Sequence, residues 1–129
     1  MKFTLVIHAA PYSREASLSA LAFTRSALDQ GHEITRLFFY SDGVHNTGAL
    51  AVPPQDEIHV QARWRELIRE HKLDAVACVS SALRRGILNS EEAQRYELDH
   101  SSLMEDASIS GLGQLVDACL HSDRVINFG

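Results

Sequence analysis

Two cysteines and seven histidines are the groups in this chain best suited to nucleophilic or metal chemistry, and their settings in the sequence differ sharply. Cys78 ends the apolar run Leu73-Asp74-Ala75-Val76-Ala77-Cys78-Val79 and precedes the polar, basic stretch Ser80-Ser81-Ala82-Leu83-Arg84-Arg85-Gly86. A thiol placed there stands at the carboxyl end of a strand, the edge where open α/β folds bind ligands and where the following helices aim their positive N-termini. Ser80 and Ser81 could cap a helical turn and direct backbone N–H groups at the sulfur, with Arg84 and Arg85 adding positive potential, an environment that favours thiolate. Free cysteine is also among the most buried residue types, and a strand end can be interior. Spacing alone therefore leaves Cys78 open between a nucleophile and a structural thiol. Cys119 reads differently. It lies within an apolar helical stripe and is expected to be a small, inert core residue whose thiol burial pushes up.

The histidines, His8, His32, His45, His59, His71, His100 and His121, form no H-x-x-x-H pair, and the cysteines form no C-x-x-C pair. No metal site is expected from them, and scattered surface positions are the simpler account. A Cys-His pair could still assemble in space, with His8 at the end of the first strand best placed to approach Cys78, but strand order is not written in the sequence. Ser110-Gly111-Leu112-Gly113 resembles an anion-binding turn at a helix start. It lacks the Walker lysine and does not follow the first strand, so close backbone packing is the expected role of its glycines.

These groups must be positioned by strands alternating with amphipathic helices, a pattern that implies βαβ units and a parallel sheet. Lys2 to His8 reads as a first strand buried on both faces. Ser13 is a candidate N-cap for a helix whose apolar positions Ala16, Ala20, Phe23 and Ala27 recur at helical spacing, closed by Gly31. Ile34 to Tyr40 is the second strand, followed by a Ser41-Asp42-Gly43 turn and a loop with a short helical turn near Thr47 to Ala51. A helix from Asp56 to His71 carries Val60, Trp64, Leu67, Ile68 and His71 on one stripe. Leu73 to Val79 is the third strand. Asn89 and Glu92 form a capping-box variant before a short helix to Leu98, and a short strand is expected at Ala107 to Ile109. The next helix places Leu112, Leu115, Val116, Cys119 and Leu120 toward the sheet, and Arg124 to Phe128 is the last strand.

At 129 residues the chain has room for one core, so residues 1–129 are expected to form a single domain. No apolar run approaches the length of a membrane span, and Phe3 to Ile7 is too short for a secretory segment, so a cytoplasmic protein is expected. Two distant cysteines fit reduced thiols better than a disulfide framework. A formal net charge of −5 argues against an extended nucleic-acid surface.

Taken together, Ala77-Cys78-Val79, Ala82-Leu83-Arg84-Arg85-Gly86, Phe38-Phe39-Tyr40-Ser41-Asp42-Gly43-Val44 and Ser110-Gly111-Leu112-Gly113 resemble the DsrE family, in order and over nearly the whole chain. The resemblance implies a flavodoxin-like, DsrEFH-like α/β domain with helices on both faces of a mainly parallel sheet. It also implies a sulfurtransferase whose Cys78 accepts persulfide sulfur and passes it to another protein's thiol. The implied partners are TusB- and TusC-like subunits in a heterohexamer, an upstream persulfide donor and a downstream TusE-like acceptor, in the relay for 2-thiolation of the tRNA wobble uridine. Persulfide relay needs one accessible nucleophilic sulfur, so no cofactor and no metal is called for, and neither membrane nor direct nucleic-acid contact is expected. Three other readings stand beside it: a sulfur-oxidation relay, a small-molecule or nucleotide-binding module, and a non-catalytic assembly subunit.

Overall fold

The computed structural model describes residues 1–129. Five strands, β1 (Lys2–Ile7), β2 (Glu33–Phe39), β3 (Ala75–Cys78), β4 (Ser108–Ser110) and β5 (Arg124–Phe128), form one sheet in the order β4-β3-β2-β1-β5. Every neighbouring pair runs parallel. The connections are α1 (Ala16–Asp29), a 3₁₀ segment (Ser41–Thr47), α2 (Val60–His71), α3 (Val79–Arg84), α4 (Ser90–Arg95) and α5 (Gly113–Leu120). The chain thus steps outward from β1 through β2 and β3 to β4, then returns to the far side of β1. The fold is the α/β class that the alternation of patterns implies.

Period-two alternation sorts the strand residues onto two faces. Leu5, Ile7, Leu37, Phe39, Ala75 and Ala77 face the main core with Ala20 and Ala27 of α1 and Val60, Trp64 and Ile68 of α2. Phe39 and Trp64 meet edge to face there, with ring centroids 5.3 Å apart, worth about 1 kcal/mol beyond their buried area. The intervening residues Val6, Phe38, Val76 and Cys78 form a smaller cluster on the opposite face, against which Tyr40 and Leu115 pack. Helices therefore lie on both faces, but unequally.

A buried polar knot fixes the loops at the carboxyl edge of the sheet. Asn46 Nδ2 donates to the carbonyls of Ala9 (3.1 Å) and Gly43 (2.9 Å) and to Ser17 Oγ (3.1 Å), while its Oδ1 accepts from Trp64 Nε1 (3.0 Å). Four segments are tied through one amide, and leaving any of these buried groups unpaired would cost about 1–3 kcal/mol. Gly43 comes closer still. A Cβ at that position would lie 1.9 Å from the Ile7 carbonyl oxygen, so only glycine lets the 3₁₀ segment close over the end of β1.

Several element boundaries differ from the sequence reading. α1 starts at Ala16 with Glu15 at its N-cap and no side-chain cap, because Tyr12 turns the backbone at φ 73° and Ser17, not Ser13, binds back to the preceding loop at Ala9 O (2.8 Å). Its buried stripe is Ser17, Ala20, Thr24 and Ala27, with Thr24 Oγ1 satisfied by Ala20 O at 2.7 Å. Gly31 does close this helix, at φ 83°. The helical turn expected near Thr47 to Ala51 instead begins directly at Ser41, since Gly43 packs on the Ile7 carbonyl at the end of β1 and Asn46 donates to Ala9 O in the loop beyond it. α2 starts at Val60 rather than Asp56, and His71 is exposed at its end, where Lys72 adopts φ 52° as a left-handed cap. Asn89 caps α4 by accepting from Glu92 N at 2.9 Å, but the helix ends at Arg95. β4 is shifted one residue, to Ser108–Ser110, so α5 opens only at Gly113.

Candidate functional site

The third strand is shorter than its apolar run: β3 ends at Cys78, and Val79 already belongs to α3. Cys78 is thus both the last residue of a strand and the N-cap of a helix, at φ −59° and ψ 126°. An N-cap points its side chain toward the first unpaired N–H groups of its helix. Here the side chain is a thiol. Burial pushes the Cys78 thiol up, but the N–H and O–H groups of Ser81 and Ser80 around it outweigh burial and hold the thiol below its ordinary value, although the sulfur makes no capping hydrogen bond of its own. Ser80 Oγ lies 3.5 Å from Sγ. The residue as a whole is 1 % exposed, so the sulfur is almost wholly enclosed.

Ser81 is itself held in place. Its Oγ accepts from Ser41 N at 3.0 Å, and its carbonyl accepts from Arg85 Nη1 at 3.1 Å. Arg85 Nε reaches on to Asp42 Oδ1 at 2.8 Å, and Nη2 meets Ser41 Oγ at 3.5 Å. Arg85, expected to add positive potential at the sulfur, is paired with Asp42 and the Ser41 turn. Through these bonds it ties the Ser81 carbonyl to the segment after β2.

Cys78 pairs in register with Ser110 of β4, and Tyr40 at the end of β2 packs on the Cys78 cluster from the other side. Beyond Tyr40 stands His8, edge to face on the phenol ring at 5.8 Å, with Nε2 hydrogen-bonded to Asn127 Oδ1 at 2.9 Å. The structure therefore does not bring His8 to Cys78: β2 lies between their strands, and Tyr40 fills the gap. Ser110 is the register partner of Cys78, but the glycines after it have no packing role, since a Cβ on Gly111 or Gly113 would meet open space. No group of three His, Cys, Asp or Glu residues is arranged to hold a metal ion.

The second thiol is a clear reversal. Cys119 is exposed, and so are Leu112, Val116 and Leu120. α5 turns Leu115 and Ala118 to the sheet, and Thr4 Oγ1 donates to Ala118 O at 3.3 Å. The small alanine lets the helix approach the strand closely. That rotates the larger apolar side chains outward.

Ser41, Asp42 and Tyr40 were visible in the sequence only as a turn and a strand end. Their convergence on α3 depends on the pairing of β2 with β3. A groove of about 510 Å³ beside Ser80, walled by Leu83, Leu88, Tyr96 and Leu98, had no signal in the sequence, because it joins two short helices through an irregular loop.

A parallel α/β sheet with a cysteine at its carboxyl edge, its thiol held below the ordinary value, defines the class of α/β proteins that present a reactive group at that edge. The DsrE/DsrF-like family model matches residues 1–128, and the chain belongs to that family. It is 49 % identical over 129 residues to a TusD homolog sulfurtransferase of Pseudomonas aeruginosa, covering 100 % of this chain and 98 % of the relative. It is equally, 49 %, identical over 129 residues to a candidate DsrE sulfurtransferase of Allochromatium vinosum, covering 100 % and 99 %. The sulfurtransferase TusD of Salmonella dublin shares 38 % over 128 residues, with 99 % and 100 % covered. Among solved structures, the ychN protein of E. coli superposes with a TM-score of 0.79 at 22 % identity, covering 99 % of both chains.

Proposed function

We propose that this chain is a sulfurtransferase of a persulfide relay, one domain over residues 1–129, with Cys78 as the sulfur carrier. The observation that carries the reading is the Cys78 thiol held below its ordinary value at a strand-to-helix junction, in a chain whose full-length relatives are named sulfurtransferases. In the first step the Cys78 thiolate attacks the terminal sulfur of a donor persulfide. A bond forms between Cys78 Sγ and that sulfur, the donor's S–S bond breaks, and the donor cysteine leaves as thiolate. In the second step an acceptor thiolate attacks the same sulfur and Cys78 thiolate leaves. Nothing is oxidised or reduced overall. Exchange is fastest when the attacking thiol's pKa is near ambient pH, so a moderate lowering helps both capture and release.

The physiological setting that fits best is delivery of sulfur for 2-thiolation of the tRNA wobble uridine in the cytoplasm, with a protein donor upstream and a TusE-like acceptor downstream. TusB- and TusC-like subunits are the partners expected to complete a hetero-oligomer. The outward face of α5 supports such an assembly: Leu112, Val116 and Leu120 are 51 %, 58 % and 77 % exposed on one helix. No helix is long and apolar enough to cross a membrane. The equal identity to the Pseudomonas TusD homolog and the Allochromatium protein favours one second reading, a DsrE-type subunit of a sulfur-oxidation relay.

Incubation with a small-molecule persulfide donor followed by intact-mass measurement tests the carrier assignment. A one-sulfur adduct is expected on the wild type and on Cys119→Ser, and none on Cys78→Ser. An adduct that persists in Cys78→Ser overturns the assignment. Loss of 2-thiouridine from tRNA on deletion of the gene separates the two relays. Weaker association with TusB- and TusC-like subunits in a Val116→Lys, Leu120→Lys double variant tests the α5 face.

A further inference from the structure

Between α3 and α4 lies the groove of about 510 Å³, and one residue of its lining is Ser80, whose Oγ lies 3.5 Å from Cys78 Sγ. Leu83, Leu88, Tyr96 and Leu98 make the walls apolar, and Tyr96 and Leu98 remain more than half exposed, at 56 % and 51 %. Arg84 is the one charged residue in the lining. Unlike Arg85, it has no carboxylate partner in the chain.

We propose that this groove docks the protein that exchanges sulfur with Cys78, by holding an extended segment with apolar side chains beside its reactive cysteine and a carboxylate against Arg84. The inference rests on the relay reading and adds to it the chemistry of the partner. A residue that is 1 % exposed offers almost nothing to a broad protein face, whereas an extended segment can present a single thiol. Exposed leucines and a tyrosine at the groove supply burial for such a segment. The chain as a whole carries a formal charge of −5, so an acidic segment is repelled from most of the surface, and the unpaired Arg84 selects where it lands.

The probes are three tetrapeptides, each ending in a cysteine activated as a mixed disulfide with pyridine-2-thiol: Leu-Leu-Glu-Cys, Leu-Leu-Gln-Cys and Gly-Gly-Glu-Cys. They are reacted with the Cys119→Ser protein, because the exposed second thiol would otherwise compete. Cys78 thiolate attacks the peptide sulfur, a new disulfide forms, and pyridine-2-thiolate leaves and is counted by absorbance. Below saturation the leucine probe is expected to react about tenfold faster than the glycine probe, from partial burial of two side chains. The glutamate probe is expected to react about threefold faster than its glutamine counterpart, the size of an exposed ion pair. Leu98→Lys should remove the first preference and Arg84→Glu should reverse the second. Absence of either preference, or a glutamate preference that survives Arg84→Glu, overturns the proposal. These ratios need only the thiol, so a failure of Cys78 to take up persulfide sulfur would refute the relay while leaving the docking result readable.

Discussion

Arg85 Nε donates to Asp42 Oδ1 at 2.8 Å, joining the helix that starts at Cys78 to the 3₁₀ segment that follows β2. The hydrogen bond and the charge of Arg85 hold the Asp42 carboxyl below its ordinary value. For an acid with a depressed folded pKa, the stabilisation is full above the unfolded value and is lost as pH falls through the folded one. Both partners reach solvent, so the gain is small and salt-screened. The expected outcome is that wild type melts above Asp42→Asn at neutral pH and that the gap closes as pH drops through the carboxylate range. A gap that stays constant into acid would show that the pair does not carry the difference.

Ser80 and Ser81 hold the Cys78 thiol below its ordinary value against the effect of burial. Ser80→Ala is expected to slow reaction with iodoacetamide at pH 7 roughly threefold by raising the thiol's pKa, in a Cys119→Ser background. Ser81→Ala should act in the same direction and also cost about 1 kcal/mol of stability, because Ser81 Oγ accepts the Ser41 N–H. Arg84→Ala should leave the pH profile of the rate where it was. A profile displaced by Arg84→Ala and untouched by both serine changes would reverse the assignment.

Reagent size should sort the two thiols. Cys119 is exposed and Cys78 buried, so a polymer-tagged maleimide is expected to label Cys119 almost alone, while iodoacetamide reaches both. The ratio of Cys78 to Cys119 modification, read by peptide mapping, therefore falls as the reagent grows. A ratio independent of size would mean that Cys78 is openly accessible. Replacement of an exposed side chain is expected to be nearly neutral, within about 0.5 kcal/mol for Cys119→Ser.

Gly43→Ala should be costly out of proportion to one methyl group. The added carbon would meet the Ile7 carbonyl oxygen at 1.9 Å, which forces the 3₁₀ segment off the end of β1. A loss of about 3 kcal/mol in denaturant unfolding is expected, at the upper end for single substitutions. A change below about 1 kcal/mol would show that the segment relaxes freely.

Strand identity and order of elements were legible because buried parallel strands read as apolar runs, as Leu5 to Ile7 and Ala75 to Cys78 do. The position of Cys78 followed from the change in character at Ser80. The placement of Ser80 and Ser81 beside the sulfur was legible for the same reason, since they follow it directly in the chain. The partner of Arg85 was not, because Asp42 is remote in sequence and joined only through strand pairing. Cys119 misled for a different reason. A helix can be apolar beyond the face it turns to the sheet, and the stripe Leu112, Leu115, Val116, Cys119 and Leu120 mixes Leu115, which packs on the sheet, with residues that are exposed. Ala118, too small to weigh in such a pattern, faces inward with Leu115.

The sheet order also governs how the molecule comes together in time. β1 pairs with β2 on one side and with β5 on the other, so residues 2–7 depend on residues 124–128 for half of their ladder. During synthesis β1, β2 and β3 can assemble while β5 has not yet been made. Until it arrives, the open edge of β1 is a template for any other strand, with the apolar Leu5 and Ile7 close behind it. Closing so long a loop is slow relative to local pairing. The growing chain therefore passes through a stage in which its first strand is unguarded, and a chaperone or a sister chain that occupies that edge would decide between the native sheet and aggregation.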